Sequence, residues 1–375
     1  MTARPRSAPE IRRSGPTLSQ LCRYAIARSL FEPTTLTRAI ARLGFVQADP
    51  MRAPARAQDL ILAHRVRDYR AGDLERRYPR LAIEEAYFVN YGFLSRDSNA
   101  LLHPRGTTHR WDARMEARAR EVLAFVRRHG LTDSKRVQAH FSHGHIHRWG
   151  ADLNVSAHLL EGLHHRGLLR VARREAGTRV YEPVEPPSRD DTPETRLSRA
   201  GELLDMVVRL YAPLPAASLR YLAALLRAGV PHLAVEVRRI QEQAASRYAG
   251  ARVDGVPWLW PKGENPASPR HDAGESLRFL TPFDPVVWDR RRFRLFWGWE
   301  YKMEAYLPAH RRRMGHYAMP VLWRDRVTGW ANLKRIDGRL RHELGFAGRR
   351  PAGRAFRRAL DDALERMLEF LTGTG

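Results

Sequence analysis

Two stretches of the sequence show the same order of elements, three helical segments followed by a strand pair, and this repetition constrains the fold more than any other feature. In the first stretch the predicted helices cover 115–128, 134–140 and 156–165, and the predicted strands cover 168–173 and 179–183. In the second, helical spacing covers 196–210, 216–226 and 230–245, and a strand pair is predicted at 253–258. Three helices with a basic hairpin are typical of the winged helix-turn-helix.

The remaining sequence extends this pattern at both ends. Helical spacing over 18–26, 36–43 and 56–62 surrounds a short extended step at 45–50, and 81–94 suits a strand or a buried helix. Alternating residues predict strands at 277–283, 304–307, 317–323 and 328–333, and an amphipathic helix is predicted at 355–371.

We therefore predict a mainly α protein with small β elements. It has three tandem winged helix-turn-helix units, a C-terminal β-rich module and a closing helix. The predicted parts are a disordered basic arm at 1–16, a first winged-helix-like unit at 17–110, a second at 111–186, a third at 194–260, and the β-rich module with its helix at 276–372.

The charge of the chain indicates a polyanionic partner. Its 65 Lys and Arg residues against 41 Asp and Glu residues give a formal net charge of +24, and the arginines are spread from Arg4 to Arg358. A spread of this kind places the charge on folded surfaces, so nucleic acid is the favoured partner and an acidic membrane surface the second. A bland alternative is a genome rich in G and C, which enriches arginine everywhere.

The single cysteine, Cys22, excludes an intramolecular disulfide and a multi-cysteine zinc site. No run of 18 apolar residues occurs, and the N-terminus has no apolar signal-peptide core. We therefore expect a cytoplasmic protein.

The extended step at 45–50 places two polar side chains together. In extended backbone residues i and i+2 face the same side, so Gln47 and Asp49 can converge on one water molecule while Ala48 points away. The alternative is that Asp49 only caps a turn before Pro50 and that Gln47 is a surface residue. For an isolated Gln-x-Asp this alternative would be the stronger one.

Gly44–Pro50, with 55–62 and Arg65, resembles the catalytic segment of the winged-helix crosslink-repair DNA glycosylases, an AlkZ/YcaQ-like family that has Gln-x-Gln or Gln-x-Asp here. A second similarity covers Leu280–Arg290, Tyr301–Pro308 and Gly315–Leu322, and a weaker one covers 162–184. These matches occur in the family's order, which reverses the preference for a simple turn.

The resemblance implies a monomeric, monofunctional DNA glycosylase that binds damaged duplex DNA in a basic cradle, near the nucleoid. It implies removal of N7-alkylated guanine, including crosslinked guanine, without a cofactor or metal. Because such a base is already cationic, the enzyme needs only to stabilise the developing sugar cation and to position water. Asp49 would serve as base and Gln47 would orient the water.

Two positions depart from the family pattern. Many relatives have His where this chain has Gln58, and the family's Trp-Ala-His segment corresponds to Phe88-Val89-Asn90. Neutral amides form hydrogen bonds but cannot carry the charge of an imidazolium. The departures imply slower activity, an altered substrate or a protein that only binds DNA.

Basic and polar residues near the predicted site, in the second unit and near the C-terminus are candidates for DNA contact, with a merely solvated basic face as the alternative. They are Arg52, Arg56, Gln58, Arg65, Asn90, Asn154, Ser156, His158, Arg170, Arg173, Arg174, Arg179, Arg311 and Arg312.

Other features favour other functions less. His140, His143, His145 and His147 could hold zinc, but three of them alternate across a predicted irregular loop and no familiar ligand spacing completes the set, so we predict no metal. A non-catalytic DNA-binding regulator is the main alternative function. A nuclease would need clustered carboxylates, and only scattered ones such as Asp284 and Asp289 occur.

Overall fold

The structure is a computed structural model that describes residues 15–105, 111–148, 151–175, 177–185 and 190–372. The predicted arm at 1–16 lies almost wholly outside these residues. The α-helices are α1 (Leu18–Ser29), α2 (Leu36–Leu43), α3 (Ala57–Ala63), α4 (Asp73–Arg77), α5 (Arg96–Ala100), α6 (Ala113–His129), α7 (Ser134–Phe141), α8 (Val155–His165), α9 (Pro193–Tyr211), α10 (Ala216–Gly229), α11 (Ala234–Glu242), α12 (Ala244–Arg247), α13 (Pro285–Trp288), α14 (Arg290–Trp297) and α15 (Arg354–Thr372).

The strands form two- to four-stranded antiparallel sheets. They are β1 (Val46–Gln47), β2 (Ile83–Tyr87), β3 (Tyr91–Ser95), β4 (His145–Arg148), β5 (Ala151–Asn154), β6 (Leu169–Glu175), β7 (Thr178–Pro183), β8 (Leu214–Pro215), β9 (Ala249–Val253), β10 (Val256–Trp260), β11 (Leu277–Phe279), β12 (Met319–Trp323), β13 (Arg326–Ile336) and β14 (Arg339–Phe346).

One order of elements occurs three times. A helix leads into a short extended segment, further helices follow, and a hairpin closes the unit. In the first and third units the short strand pairs with the last strand of the hairpin, giving the sheet orders β1-β3-β2 and β8-β10-β9. In the second unit a single bridge between Thr132 and Tyr181 takes the place of that pairing. The mainly helical character with small sheets therefore agrees with the prediction.

The C-terminal part contains a four-stranded sheet in the order β11-β12-β13-β14, and α15 packs against its first and last strands. The long final strand, β14, was not predicted. The strand predicted at 304–307 is wrong, because this segment is a turn in which the Leu307 amide donates to the Glu304 carbonyl at 2.9 Å. Pro308 follows and cannot donate to a sheet ladder.

Helix α1 packs away from the unit to which the sequence assigned it. Its N-terminus is a capping box, in which Thr17 accepts from the Gln20 amide and Gln20 accepts from the Thr17 amide. The buried side chains of α1 then contact α9, α13 and α14, near the C-terminal part. Cys22 is buried in that contact, as a small apolar residue.

The segment at 81–94, for which the sequence left a strand or a buried helix open, forms the hairpin β2–β3. Two other expectations need correction. The segment at 145–148 is a strand, not an irregular loop. The helix predicted over 230–245 is interrupted, since a short 3-10 helix at Pro231–Leu233 precedes α11 and Gln243 separates α11 from α12.

One hydrophobic core runs through the three units and into the C-terminal sheet, from Phe31 to Leu371. The aromatic group near α14 also serves packing, because Phe293 is buried against Trp297, Trp299 and Tyr301. Across the described parts of the chain, no helix has the length and apolar character needed to cross a membrane.

Candidate active site

The predicted catalytic step lies at the edge of the first sheet. Helix α2 ends at Gly44, whose positive φ of 77° turns the chain into β1. Gln47 pairs with Gly92 of β3, and a side chain on Gly92 would overlap with the Val46 carbonyl and the Phe45 ring. The sheet therefore holds the backbone of this step closely against β3, and the chain leaves it at Asp49.

Each predicted catalytic residue contacts one of two amides, Gln58 and Asn90, that the resemblance sets at positions of family histidines. The Asn90 side chain donates from Nδ2 to Gln47 Oε1 at 3.4 Å, and the Asp49 amide donates to Gln58 Oε1 at 3.3 Å. Both distances are long for strong hydrogen bonds. The structure thus brings Gln47, Asp49, Gln58 and Asn90 into one polar group.

The Asp49 carboxylate is partly exposed and has one firm partner. Its Oδ1 accepts from the Met51 amide at 2.9 Å, which is the turn-capping contact expected from the alternative interpretation. In the described ranges no Lys or Arg forms an ion pair with Asp49, and no histidine forms a hydrogen bond with it. The carboxylate therefore combines a local capping contact with the lack of a basic partner among the described residues.

Tyr317, in the C-terminal module, is buried beside Thr281. Burial raises the pKa of Tyr317, the Thr281 hydroxyl 2.8 Å away lowers it, and the nearby negative charge of Asp49 raises it again. Tyr317 is consequently a neutral phenol at pH 7. It belongs to the Gly315–Leu322 match, for which the resemblance implies no role.

A buried ion pair joins α3 to the same module. Arg65 and Asp284 are both 0% exposed, and their two contacts measure 2.8 and 3.1 Å. Arg65 also donates to the Ser29 and Ile61 carbonyls. The prediction that Arg65 contacts DNA is therefore wrong, because its guanidinium has no exposed surface.

His64 strengthens that joint. Its Nε2 lies 3.0 Å from the Phe279 carbonyl oxygen, and burial lowers the pKa of His64 to about 4, so the ring is neutral and donates to the carbonyl. These contacts hold the helix that follows Asp49 against the module that contains Tyr317.

Three arginines of the β6–β7 hairpin that were predicted to contact DNA have carboxylate partners inside the protein. Arg170 bonds to Glu84, and Arg174 forms a two-point contact with Glu85 at 2.8 and 2.5 Å. Arg179 lies 3.5 Å from Glu85 and also pairs with Glu161. These three arginines attach the second unit to β2, so their charges serve the joint between units.

Glu85 is the centre of this joint. Burial raises its pKa, but hydrogen bonds and charge from Arg174, with further contributions from Tyr91 and Arg179, bring the pKa below its usual range. Sequence reasoning missed Glu84 and Glu85, although two consecutive acids in a strand with apolar neighbours were a signal of buried pairing.

A cavity of about 990 Å³ opens beside the joint, between the first and second units. Its wall includes His103, His164 and His165, and burial lowers the pKa of these rings to about 2, 4 and 3 respectively. All three are neutral at pH 7. This histidine-lined joint had no counterpart in the sequence predictions.

The other predicted DNA contacts have mixed surroundings. Arg56 pairs with Glu75, and Arg173 pairs with its neighbour Glu175. Asn154 caps α8 by accepting from the Ala157 amide at 3.1 Å. Arg52 and Arg311 are exposed, and the DNA contacts of both stay predictions.

The start of α8 is largely committed to packing. Ser156 is buried and donates to Gln138 at 2.9 Å, which removes it as a base contact. His158 Nε2 accepts from the Trp111 indole at 3.1 Å. Arg312 donates from Nε to the Leu307 carbonyl at 2.8 Å and braces its own loop.

The histidine cluster of the second unit packs on aromatic rings. His140 lies 4.5 Å from Phe125 and His143 stacks on Phe141 at 4.9 Å, measured between ring centres. The His147 side chain lies outside the described residues. Within the described ranges, no three His, Cys, Asp or Glu side chains are grouped as metal ligands would be.

Comparison with known proteins agrees with this arrangement. A family model described as DNA glycosylase AlkZ-like matches residues 40–370, which is most of the chain. The chain belongs to the AlkZ-like DNA glycosylase family. It is a DNA repair glycosylase, and its substrate is DNA.

A solved structure supports the family fold. The DNA glycosylase AlkZ of Streptomyces sahachiroi superposes with a TM-score of 0.62 at 13% sequence identity, over 96% of this chain and 98% of that chain. At this identity the likeness concerns the fold. The alternative of a non-catalytic regulator is not favoured, and the residue roles within the AlkZ-like site are proposals.

Proposed function

We propose that this AlkZ-like glycosylase hydrolyses the N-glycosidic bond of cationic N7-alkylated purines in duplex DNA, and that it accepts crosslinked guanine. The observation that carries this proposal is the group around Asp49, a carboxylate that has no basic partner in the described ranges and lies beside three neutral amides. Such a group can accept a proton and stabilise positive charge, but it offers no acid to a leaving base.

The reaction assigned to this site balances without a cofactor. The C1′–N9 bond breaks, and its electron pair moves to N9 and neutralises the cationic base. The oxygen of water bonds to C1′, and a proton of that water passes to the Asp49 carboxylate. Gln47 orients the water, while Asn90 holds the Gln47 amide through its carbonyl oxygen.

The amides at Gln58 and Asn90 are the basis of the substrate assignment. Among the described residues, no imidazole forms a hydrogen bond with Gln47 or Asp49, so a neutral damaged base would leave without protonation. General acid catalysis contributes roughly 10²- to 10⁴-fold to reactions that need it. We therefore expect a preference of at least about 100-fold for cationic over neutral lesions.

The three recurring units are proposed to be tandem winged helices that cradle the duplex. Their shared order of helix, short extended segment, helices and hairpin supports this assignment. A monomer is proposed, because the three units together would supply a continuous basic surface within one chain.

The test is base release from duplex DNA that contains N7-methylguanine or a guanine crosslink, measured as abasic sites. We expect release by the wild type and a loss of at least about 10²-fold for Asp49→Asn, since the variant cannot take the proton. Asp361→Asn, an exposed carboxylate of α15, is the matched control and should keep full activity. Release of neither lesion by the wild type would contradict the substrate assignment, and equal release by Asp49→Asn would contradict the site.

A further inference from the structure

A loop of the C-terminal module leaves two apolar side chains in solvent. Tyr306 is 83% exposed and Leu307 is 42% exposed, whereas Tyr301 and Tyr317 on either side of the loop are buried. Large aromatic side chains are usually buried, and exposed ones concentrate where a protein binds a partner. We call residues 304–315 the Glu304 loop.

The Glu304 loop is held in shape by a buried carboxylate. Glu304 Oε2 accepts from the backbone amides of Arg313 and Met314, both at 2.8 Å, and of Gly315 at 3.3 Å. At the other end of the loop, Arg312 donates to the Leu307 carbonyl at 2.8 Å. The tip is therefore pre-formed, and binding through it would cost little conformational entropy.

The base of the loop joins the part of the C-terminal module that packs on the segment after Asp49. Gly315 lies two residues before Tyr317, whose hydroxyl lies 2.8 Å from that of Thr281. Asp284, three residues after Thr281, forms the buried ion pair with Arg65. Tyr301, just before the loop, donates from its hydroxyl to the Ala318 carbonyl at 2.7 Å. The Glu304 loop is thus rooted in the part of the module that is fastened to the segment following Asp49.

Basic side chains follow the apolar tip along the loop. His310, Arg311 and Arg313 are exposed, and in the part of the chain that the structure describes neither arginine forms an ion pair. An apolar tip with a basic rim matches a partner that is anionic outside and apolar inside. Duplex DNA has this character, because phosphates enclose stacked bases.

We propose that the Glu304 loop is a DNA wedge, in which Tyr306, assisted by Leu307, enters the base stack beside the damaged nucleotide while Arg311 and Arg313 bind the flanking phosphates. The wedge separates neighbouring bases and so brings the damaged sugar toward Asp49. No covalent step is involved. The proposal rests on the proposed function in one respect, the position of the lesion at Asp49.

Insertion can be measured without catalysis. The full chain with Asp49→Asn binds a duplex that contains a tetrahydrofuran abasic analogue, with 2-aminopurine as the adjacent base. Unstacking raises 2-aminopurine fluorescence, and we expect a rise of about threefold or more on binding. Adding Tyr306→Ala should remove most of that rise, whereas Tyr306→Trp should keep it, because stacking needs only an aromatic face.

A second experiment, on base excision, distinguishes insertion of the wedge from general binding to DNA. In the otherwise wild-type chain, we expect Tyr306→Ala to lower single-turnover excision of N7-methylguanine about tenfold or more, with a smaller loss of affinity for undamaged duplex. Tyr221→Ala is the matched control, since Tyr221 is 59% exposed on α10, and it should change neither signal. Thermal melting of each variant checks that the fold is intact.

The outcomes distinguish this proposal from the proposed function. An unchanged fluorescence rise with Tyr306→Ala overturns the wedge, even if the wild type excises N7-methylguanine. A Tyr306-dependent rise in a chain that excises no N7-methylguanine keeps the wedge and rejects the substrate assignment. Tyr306-dependent binding to anionic lipid vesicles, with no Tyr306-dependent signal on DNA, overturns the wedge in favour of a membrane surface.

Discussion

The arginines of the β6–β7 hairpin and those of the Glu304 loop carry equal charges, but they have opposite surroundings. Arg170, Arg174 and Arg179 are bound to glutamates of β2. Arg311 and Arg313 are exposed without an ion pair among the described residues. The first set joins two units of the protein, and the second set is available to a polyanion. Net charge alone therefore overstates the surface that DNA can use.

The difference follows from desolvation. A guanidinium near a buried carboxylate gains from the low local dielectric only while both partners are present. An exposed guanidinium stays hydrated until a phosphate replaces the water and releases bound counterions. Three predictions, ordered by their expected effect on the free energy of unfolding, test this distinction.

Removing the charge of Glu85 should have the largest effect on stability. Glu85→Gln leaves Arg174 and Arg179 without their buried partner, and we expect the free energy of unfolding to fall by about 2–3 kcal/mol, less than for a fully buried pair because the arginines are partly exposed. Urea unfolding followed by circular dichroism measures this. Glu161→Gln removes an exposed partner of Arg179 and should stay within about 0.5 kcal/mol.

A loss for Glu85→Gln no larger than that for Glu161→Gln would break the comparison, since the hairpin arginines would then be as independent of the protein interior as those of the Glu304 loop. Combining Glu85→Gln with Arg174→Gln sharpens it. The double variant should be more stable than the sum of the two single losses implies, because the orphaned charge is gone.

The same joint should weaken in mild acid. Burial lowers the pKa of His164 from 6.5 to about 4, so between these pH values the unfolded chain takes up a proton that the folded chain does not. The contribution of His164 to the free energy of unfolding is complete above pH 6.5 and is lost as the pH falls toward 4. The free energy of unfolding falls by about 1 kcal/mol per pH unit in this range.

The measurement is urea unfolding at pH 7.5 and 5.0. His164→Gln should reduce the difference between the two free energies of unfolding, because it removes the titrating ring. His310→Gln, an exposed histidine of the Glu304 loop, should leave the difference unchanged. If both variants retain the wild-type difference, another group titrates at the joint.

Neutralising the Glu304 loop should have the smallest effect on stability and a clear effect on DNA binding. We expect Arg311→Gln to change the free energy of unfolding by less than about 0.5 kcal/mol. The slope of log affinity against log salt should fall by about 1, as for the loss of one phosphate contact. Fluorescence anisotropy with a labelled duplex at several salt concentrations measures the slope.

Arg357→Gln on α15 is the control for general charge effects, since Arg357 is exposed far along the chain from the loop. An equal fall in slope for Arg357→Gln would mean that the loop arginines contribute only to a diffuse positive field. No fall for Arg311→Gln would exclude Arg311 as a phosphate contact.

Much of the secondary structure could be predicted because it depends on neighbours in the chain. Helix α2 covers the predicted 36–43, and α1 includes the predicted 18–26. The strand predicted at 304–307 failed because Glu304 binds amides nine to eleven residues away, a contact that alternation of apolar residues cannot reveal. The predicted third helix of the third unit failed for a different reason. Pro231 is a local signal for the break, but the helical spacing of its neighbours outweighed that signal in the prediction.

The candidate site likewise has a part that the sequence predicts and a part that depends on contacts between distant segments. Residue type and extended spacing placed Gln47 and Asp49 on one short segment, and the matching motifs along the chain identified the family. The neighbours Tyr317, Asp284 and Glu85 depend on contacts between distant segments. Periodicity and motif order, which act over a few residues, therefore determined the elements and the family of this protein. Only the tertiary structure decided which arginines are neutralised inside it and which face solvent, because burial and ion pairing arise when distant segments meet.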